Sequence, residues 1–324
     1  MKVTKSCIFA LILIVGFSSI LVHGQAPNVQ MSFTVLDENG RFFDGLKPSD
    51  IQILQGKQVL EIGSFYSRTE NPLEILLLID ASISQERVLP DEKKAAEYLI
   101  DNVLKSGKDT VAIARFTGRI SLDVDLTTDF SNAKKQLAGI EIEIPAGYIG
   151  GGTVVGQNPA PSNQSQISAG STSIWDSIQK ALDALSQVKA KNVRKVIVLI
   201  SDGVNTYGDS KLKDAILSSN RTGIPIFAIG IGDDFYSGVD KVTLRKLTEQ
   251  TSGLSVIPKK GLNDLPVLIE KMGQALRCYY DLTFSPLFSG RKDSMQETKI
   301  TIVNPTIRDR KLQIIQPKGY VSPK

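Results

Sequence analysis

Residues Ile75 to Ile79 (Ile-Leu-Leu-Leu-Ile) form an unbroken apolar run that ends on Asp80. In a half-buried strand apolar and polar residues alternate, because successive side chains point to opposite faces. A run without alternation reads instead as a strand covered on both faces, as in a parallel sheet flanked by helices. Three more near-continuous runs share this character, at Val111 to Phe116, Val196 to Ile200 and Ile224 to Ile231. Stretches of helical periodicity separate them. One runs from about Glu86 to Leu104 with Ala95, Ala96, Leu99 and Val103 on one face, and another starts at Ser173 with Ile174, Ile178, Leu182 and Leu185. Two shorter ones lie near Lys211 to Ser218 and Lys241 to Glu249. Strands alternating with helices predict an α/β fold: a doubly wound, mostly parallel sheet with helices on both faces.

The flanks have a different period. Val29 to Val35 alternates with period two, and Asp37-Glu38-Asn39-Gly40 follows as a turn signal. Ile51 to Leu54 and Gln58 to Ile62 read as short strands joined at a hairpin around Gly56. At the other end Tyr279 to Phe284, Thr298 to Ile302 and Lys311 to Ile315 read as strands with no helix between them. The termini of a doubly wound domain can lie close together, so the two β segments are expected to pack as one small unit beside it. The predicted organisation is a leader over 1–24, an N-terminal β segment over 25–70, the α/β domain over 71–277 and a C-terminal β segment over 278–324.

Lys2 and Lys5 precede an apolar stretch from Ile8 to Val22, the anatomy of a secretory signal peptide with cleavage expected after Gly24. The rival reading is an uncleaved membrane anchor, for which the apolar run is short, so a secreted or periplasmic protein with no span after cleavage is expected. Cleavage lowers the formal net charge from +4 to about +2 and gives no support to nucleic-acid binding. It also removes His23, the only histidine. The mature chain is then unable to run a Ser-His-Asp or Cys-His mechanism or to build a His-ligated zinc site. Cys7 leaves too, so Cys278 stands alone, is expected to be a buried small hydrophobe, and leaves stability to the core. A Gly-, Ser-, Asn- and Pro-rich stretch between Ile144 and Thr172 is expected to be a surface loop; Asn163-Gln164-Ser165 within it and Asn220-Arg221-Thr222 beyond it fit the glycosylation pattern.

Asp80 is followed by Ser82 and Ser84. Ligands of open α/β sheets collect beyond the carboxyl ends of the strands, where these three side chains belong. One carboxylate and two hydroxyls form a hard-oxygen set suited to Mg²⁺ or Mn²⁺. The pattern Asp-x-Ser-x-Ser resembles the first motif of the metal-ion-dependent adhesion site of von Willebrand factor A domains. Gly170-Ser171-Thr172-Ser173-Ile174-Trp175-Asp176 resembles the second motif, and Leu199-Ile200-Ser201-Asp202-Gly203 the third. The resemblance implies a coordination set of Asp80, Ser82, Ser84, Thr172 and Asp202. In it three hydroxyls bind the ion directly, two carboxylates bind through water, and a carboxylate of a protein partner takes the open position. Ile83, Gln85 and Ser171 depart from the common pattern at positions that supply no ligand. The flanking segments, including Gly45 to Ile53 and Tyr280 to Pro286, resemble those of secreted bacterial proteins with a related A domain.

The implied function is a non-enzymatic adhesion or binding module. Two other readings stay open. One is a Mg²⁺-dependent phosphohydrolase with Asp80 as nucleophile, although that class carries a second Asp where Ser82 stands. The other is a structural envelope protein whose metal site is vestigial. Gly150-Gly151-Gly152-Thr153 lacks the Gly-Lys-Ser/Thr of a phosphate loop, and Phe235 stands where a dinucleotide fingerprint after Gly230 and Gly232 needs glycine. Trp175 reads as a core or lid residue, and Asp176 as an acid favoured at a helix N-terminus.

Overall fold

The computed structural model describes residues 28–144, 170–190, 192–287 and 293–322. The leader, Asn163 and nearly all of the Gly- and Ser-rich stretch lie outside the described residues. The N-terminal segment holds β1 (Val29–Leu36), β2 (Ile51–Gln55), β3 (Gln58–Leu60) and β4 (Ile62–Arg68). The central domain follows with β5 (Leu73–Asp80), α1 (Leu89–Val103), β6 (Thr110–Phe116), β7 (Ile120–Thr127), α2 (Phe130–Ala138) and α3 (Ile174–Gln187). It continues through β8 (Arg194–Ser201), α4 (Leu212–Thr222), β9 (Ile226–Gly230), α5 (Lys241–Glu249), β10 (Ser255–Val256) and α6 (Leu265–Arg277). The chain then forms β11 (Tyr279–Phe284), β12 (Met295–Glu297), β13 (Lys299–Ile302), α7 (Pro305–Arg308), β14 (Gln313–Ile315) and β15 (Gly319–Val321).

The central sheet runs in the order β10-β9-β8-β5-β6-β7. Its strands are parallel except β7, which turns back antiparallel on β6. All eight residues of β5 are buried, as an unbroken apolar run requires in a covered strand. Ile75, Leu77 and Ile79 enter one core with α1, α2 and α6, while Leu76 and Leu78 enter a second core with α3, α4 and α5. Helices therefore cover both faces, the doubly wound architecture. Asp109 ties the base together: it accepts from the main-chain N–H of Leu73 at 2.9 Å and Lys105 at 2.6 Å, and pairs with Arg277 at the end of α6.

Several elements, α2 among them, lie outside the sequence expectation, and three of them have a clear local reason. The edge strand β7 carries Asp123 and Asp125 among its apolar residues, so its run is broken where an exposed edge favours charge. The helix α6 contains Pro266 and Gly273, residues that read as breakers. Pro266 sits in the first turn, where no intrahelical N–H is needed, and a Cβ on Gly273 would come within 3.2 Å of Val103 on α1. The short α7 interrupts a segment read as helix-free; Pro305 starts it and the Asn304 side chain caps it by accepting from Thr306 N–H at 3.0 Å.

The flanking segments build a four-stranded sheet in the order β14-β1-β11-β4. β1 pairs antiparallel with β11 over Val29–Phe33 and with β14 over Thr34–Leu36. Its core gathers Tyr280, Phe33 and Phe65 into a triangle of rings, with the Tyr280 centroid 5.3 and 5.1 Å from those of Phe33 and Phe65. The buried Tyr280 hydroxyl accepts from Leu46 N–H at 3.2 Å and donates to Phe43 O at 2.7 Å, which satisfies its polar end. Cys278, at the junction, is a free and partly exposed thiol rather than a fully buried one.

Candidate metal centre

β5 and β8 are neighbours, but the helices that follow them pack on opposite faces of the sheet. The crevice beyond their carboxyl ends is the topological switch point, where open α/β sheets bind ligands. Asp80 ends β5, Ser201 ends β8, and Asp202 follows directly. Asp80 is fully buried. Its Oδ1 accepts from Ser82 N–H at 3.1 Å and Ser82 Oγ at 2.6 Å, and its Oδ2 accepts from Ser201 Oγ at 2.7 Å. Ser82 and Ser84 lie in the tight turn before α1 with their Oγ atoms 3.1 Å apart, and Gln85 Nε2 donates to Ser84 Oγ at 3.1 Å. Asp202 Oδ1 accepts from Val204 N–H at 2.8 Å.

Thr172 is brought to this loop by main-chain contacts. Ile83 N–H donates to Gly170 O at 3.4 Å, and Ser173 N–H to Thr117 O at 2.8 Å. On its other side Thr172 N–H donates to Thr206 Oγ1 at 2.9 Å, while Thr172 O accepts from the N–H groups of Thr206 and Tyr207. Asn205 caps α3, its Oδ1 accepting from Ile174 N–H at 2.7 Å and Trp175 N–H at 3.3 Å. Asp176 reaches across to the Ser210 N–H at 3.0 Å, so it fastens the loop after Asp202 and is no part of the ligand set. Trp175 is buried in the core of the α3 face.

Burial dominates the electrostatics. It raises Asp80 to about 7, and the negative charge of Asp202 pushes in the same direction. Burial also raises Asp202, with the hydrogen bonds of Val204, Gln85 and Ser84 opposing it. Next to them Glu92 of α1 is fully buried, neither carboxyl oxygen has a hydrogen-bond partner among the described residues, and burial with the charges of Asp80 and Asp202 holds it well above the usual carboxylate range. Three buried acids thus carry an ionisation cost, part of it from one another's charge, which favours a cation.

Residues 162–263 match the family model of the von Willebrand factor type A domain. This chain carries a von Willebrand factor A domain. The matched stretch includes Thr172 and Asp202 and begins after Asp80, Ser82 and Ser84. Solved structures of similar fold include BatB from Bacteroides thetaiotaomicron, 16% identical with a TM-score of 0.44 over 63% of this chain and 98% of that one. A von Willebrand factor type A protein from Catenulispora acidiphila is 13% identical, with a TM-score of 0.46 over 94% of this chain and 75% of that one. Proximal thread matrix protein 1 from the mussel byssus, with a zinc-occupied MIDAS motif, is 17% identical with a TM-score of 0.47; the match covers 67% of this chain and 49% of the mussel protein. No curated protein matches the chain by sequence.

The donor set of the A domain suits a small hard cation. Two ligand oxygens that share an octahedral ion at about 2.0–2.1 Å stand about 2.9 Å apart, close to the 3.1 Å between Ser82 and Ser84 Oγ. Among the described residues no three His, Cys, Asp or Glu side chains group as metal ligands. Residues beyond the sequence motif complete the surroundings. Ser201 holds Asp80, Gln85 holds Ser84, Asn205 and Thr206 hold the Thr172 loop, and Glu92 is a third buried carboxyl on which the charges of Asp80 and Asp202 act. Gly232 belongs here as well, since a Cβ on it would lie 2.9 Å from Asp202 Cβ. After Gly232 the rim exposes Phe235, 58% accessible, with the Arg87 guanidinium 4.2 Å above its ring.

Proposed function

We propose that the A domain is a metal-dependent binding module for a protein partner. Ser82, Ser84 and Thr172 would hold a divalent cation, Mg²⁺ or Mn²⁺, directly, with Asp80 and Asp202 acting through water. When bound, the cation supplies a Lewis-acidic position that takes a carboxylate of the partner. The observation that carries this reading is the juxtaposition of two buried acids with a pair of serine oxygens 3.1 Å apart. The exposed Phe235 and Arg87 beside the crevice support a macromolecular partner, since aromatic and arginine side chains dominate interface energetics. The buried Asp80, with both oxygens already accepting hydrogen bonds, is poorly placed for nucleophilic attack, which favours this reading over a phosphohydrolase. Secretion fits the leader-like N-terminus, and among the described residues no helix is long and apolar enough to cross a membrane.

The test is thermal unfolding of the protein against Mg²⁺, Mn²⁺ and Ca²⁺, beside Asp80→Ala and Thr172→Ala. Stabilisation of about 2.7 kcal/mol is expected at one hundred times the dissociation constant, and none in Asp80→Ala. Hydrolysis of p-nitrophenyl phosphate that Asp80→Asn abolishes would establish the phosphohydrolase instead. Folded Thr172→Ala with an undiminished cation response would remove the hydroxyl ligand from the proposal.

A further inference from the structure

At the opposite end of the central sheet, about 23 Å along the strand from Ser201, Arg194 opens β8. There a cavity of about 580 Å³ separates the base of the A domain from the flanking sheet. Ser32 of β1, Arg68 of β4, Asn220 of α4, and Tyr279 and Asp281 of β11 line it together with Arg194. The volume falls in the range of small-molecule sites, about 300–1,000 Å³.

Arg194 is only 6% exposed, and its guanidinium carbon lies 3.9 Å from the centroid of the Tyr279 ring. Among the described residues neither terminal nitrogen has a hydrogen-bond partner. The acid facing the cavity is already engaged: Asp281 Oδ1 accepts from Ser32 Oγ at 2.5 Å, and Oδ2 pairs with Arg68 Nε at 3.3 Å. Neighbouring cations are engaged too. Arg221 pairs with Asp293 at 3.0 Å, and Lys195 Nζ donates to the main-chain oxygens of Leu185 and Val188. The charge of Asp281 also acts on Arg194, but it is shared with Arg68, so two buried or half-buried cations face one acid and one positive charge is in excess. Burial lowers the Arg194 pKa to about 10, so the group stays charged at neutral pH, and a buried unpaired charge is strongly unfavourable.

A second orphan lines the same cavity. Asn220 Nδ2 donates to Ile216 O at 2.7 Å and Gln250 O at 2.9 Å, while Asn220 Oδ1 is buried and accepts nothing among the described residues. The wall of the cavity thus holds, just beneath its surface, a planar donor fork that matches a carboxylate and a neutral acceptor that requires an O–H or N–H donor. A single uncompensated charge beside Asp281 matches a monoanion, whereas a phosphate dianion would meet the aspartate's repulsion. A hydroxyl suits Asn220 better than an ammonium, which would crowd Arg68 and Arg194.

We infer that this cavity binds a small hydroxylated monocarboxylate, with the carboxylate on Arg194 and a hydroxyl on Asn220 Oδ1. The site is independent of the metal centre. The experiment titrates the full chain with sodium D-glucuronate as the probe, with D-glucose and inorganic phosphate as comparators, by scanning calorimetry and isothermal titration. Glucuronate is expected to raise the unfolding temperature saturably and glucose to leave it unchanged. Arg194→Lys, which keeps the charge and loses the fork, should weaken binding about tenfold, and Arg194→Met should abolish it. A crystal of the wild type soaked with glucuronate locates the ligand even where a variant does not fold. The inference is overturned by no glucuronate effect up to about 50 mM, well above a ~1 mM dissociation constant. Tighter binding of phosphate, equal binding by Arg194→Met, or ligand density away from Arg194 would overturn it as well.

Discussion

Replacing Asp80 by Asn should stabilise the metal-free protein while destroying its cation response. Asp80 is raised from 3.8 to about 7 by burial and by Asp202. About three pKa units correspond to roughly 4 kcal/mol of unfavourable free energy for the ionised carboxylate above pH 7. Asn carries no charge, but it reproduces imperfectly the bonds from Ser82 Oγ at 2.6 Å and Ser201 Oγ at 2.7 Å, a loss of about 1 kcal/mol each. The net gain is about 2 kcal/mol, or about 4–8 °C in unfolding temperature for a domain of this size. The sign depends on pH. With its folded pKa raised, Asp80 leaves the wild type most stable below about pH 4, and that stability is lost as pH rises through about 7. Asn does not titrate, so the order should invert: the wild type should be about 2 kcal/mol the more stable near pH 4, where only the lost hydrogen bonds count, and Asp80→Asn the more stable by pH 8. Scanning calorimetry in EDTA across that range measures the gap, and excess Mg²⁺ should reverse it by stabilising the wild type alone. An Asp80→Asn protein less stable than wild type in EDTA at pH 8, or a gap that ignores pH, would refute the reasoning.

Three further outcomes are expected. Asn205→Ala removes the cap of α3 and the support of the Thr172 loop, so urea unfolding should show a loss of about 1–2 kcal/mol together with a weaker Mg²⁺ response. Asp109→Ala takes the acid partner from Arg277, which keeps only Val103 O, and the acceptor from two main-chain N–H groups, and should cost about 3–5 kcal/mol by the same measurement with cation affinity retained. Tyr280→Phe strands the Leu46 N–H and Phe43 O inside the flanking sheet; a loss of about 1–3 kcal/mol is expected, and calorimetry with Mg²⁺ should show the wild-type cation increment unchanged.

The central strands were legible because β5, β6, β8 and β9 are covered on both faces and cannot hide their apolar runs among polar residues. The amphipathic helices α1, α3, α4 and α5 were legible from their periodicity. β7 and α6 were not, because each carries residues whose usual meaning is reversed by position. Asp123 and Asp125 interrupt a strand only because it lies at an edge, and Pro266 is harmless only because it lies in a first turn. Pairing is harder still. β1 meets β11 across some 250 residues, and no local pattern names the partner of a strand.

The site divides along the same line. Asp80, Ser82, Ser84, Thr172 and Asp202 form a pattern because their spacing follows from strand ends and helix starts, which are local. What gives the pattern its electrostatic character is not local. Glu92, in the first turn of α1, reads in sequence as an acid placed to suit a helix dipole. Only the packing of α1 against β5 and β8 turns it into a buried carboxyl beside two others. Gln85 and Ser201 likewise look like ordinary polar residues until the fold aims them at Ser84 and Asp80. The consequence is a site whose acids are harder to ionise without a cation than with one. Burial that leaves Asp80 without a free oxygen for attack also removes the solvent that would otherwise screen it. Binding a cation therefore relieves a cost already present in the fold, and part of the affinity expected of this centre comes from residues that never touch the ion.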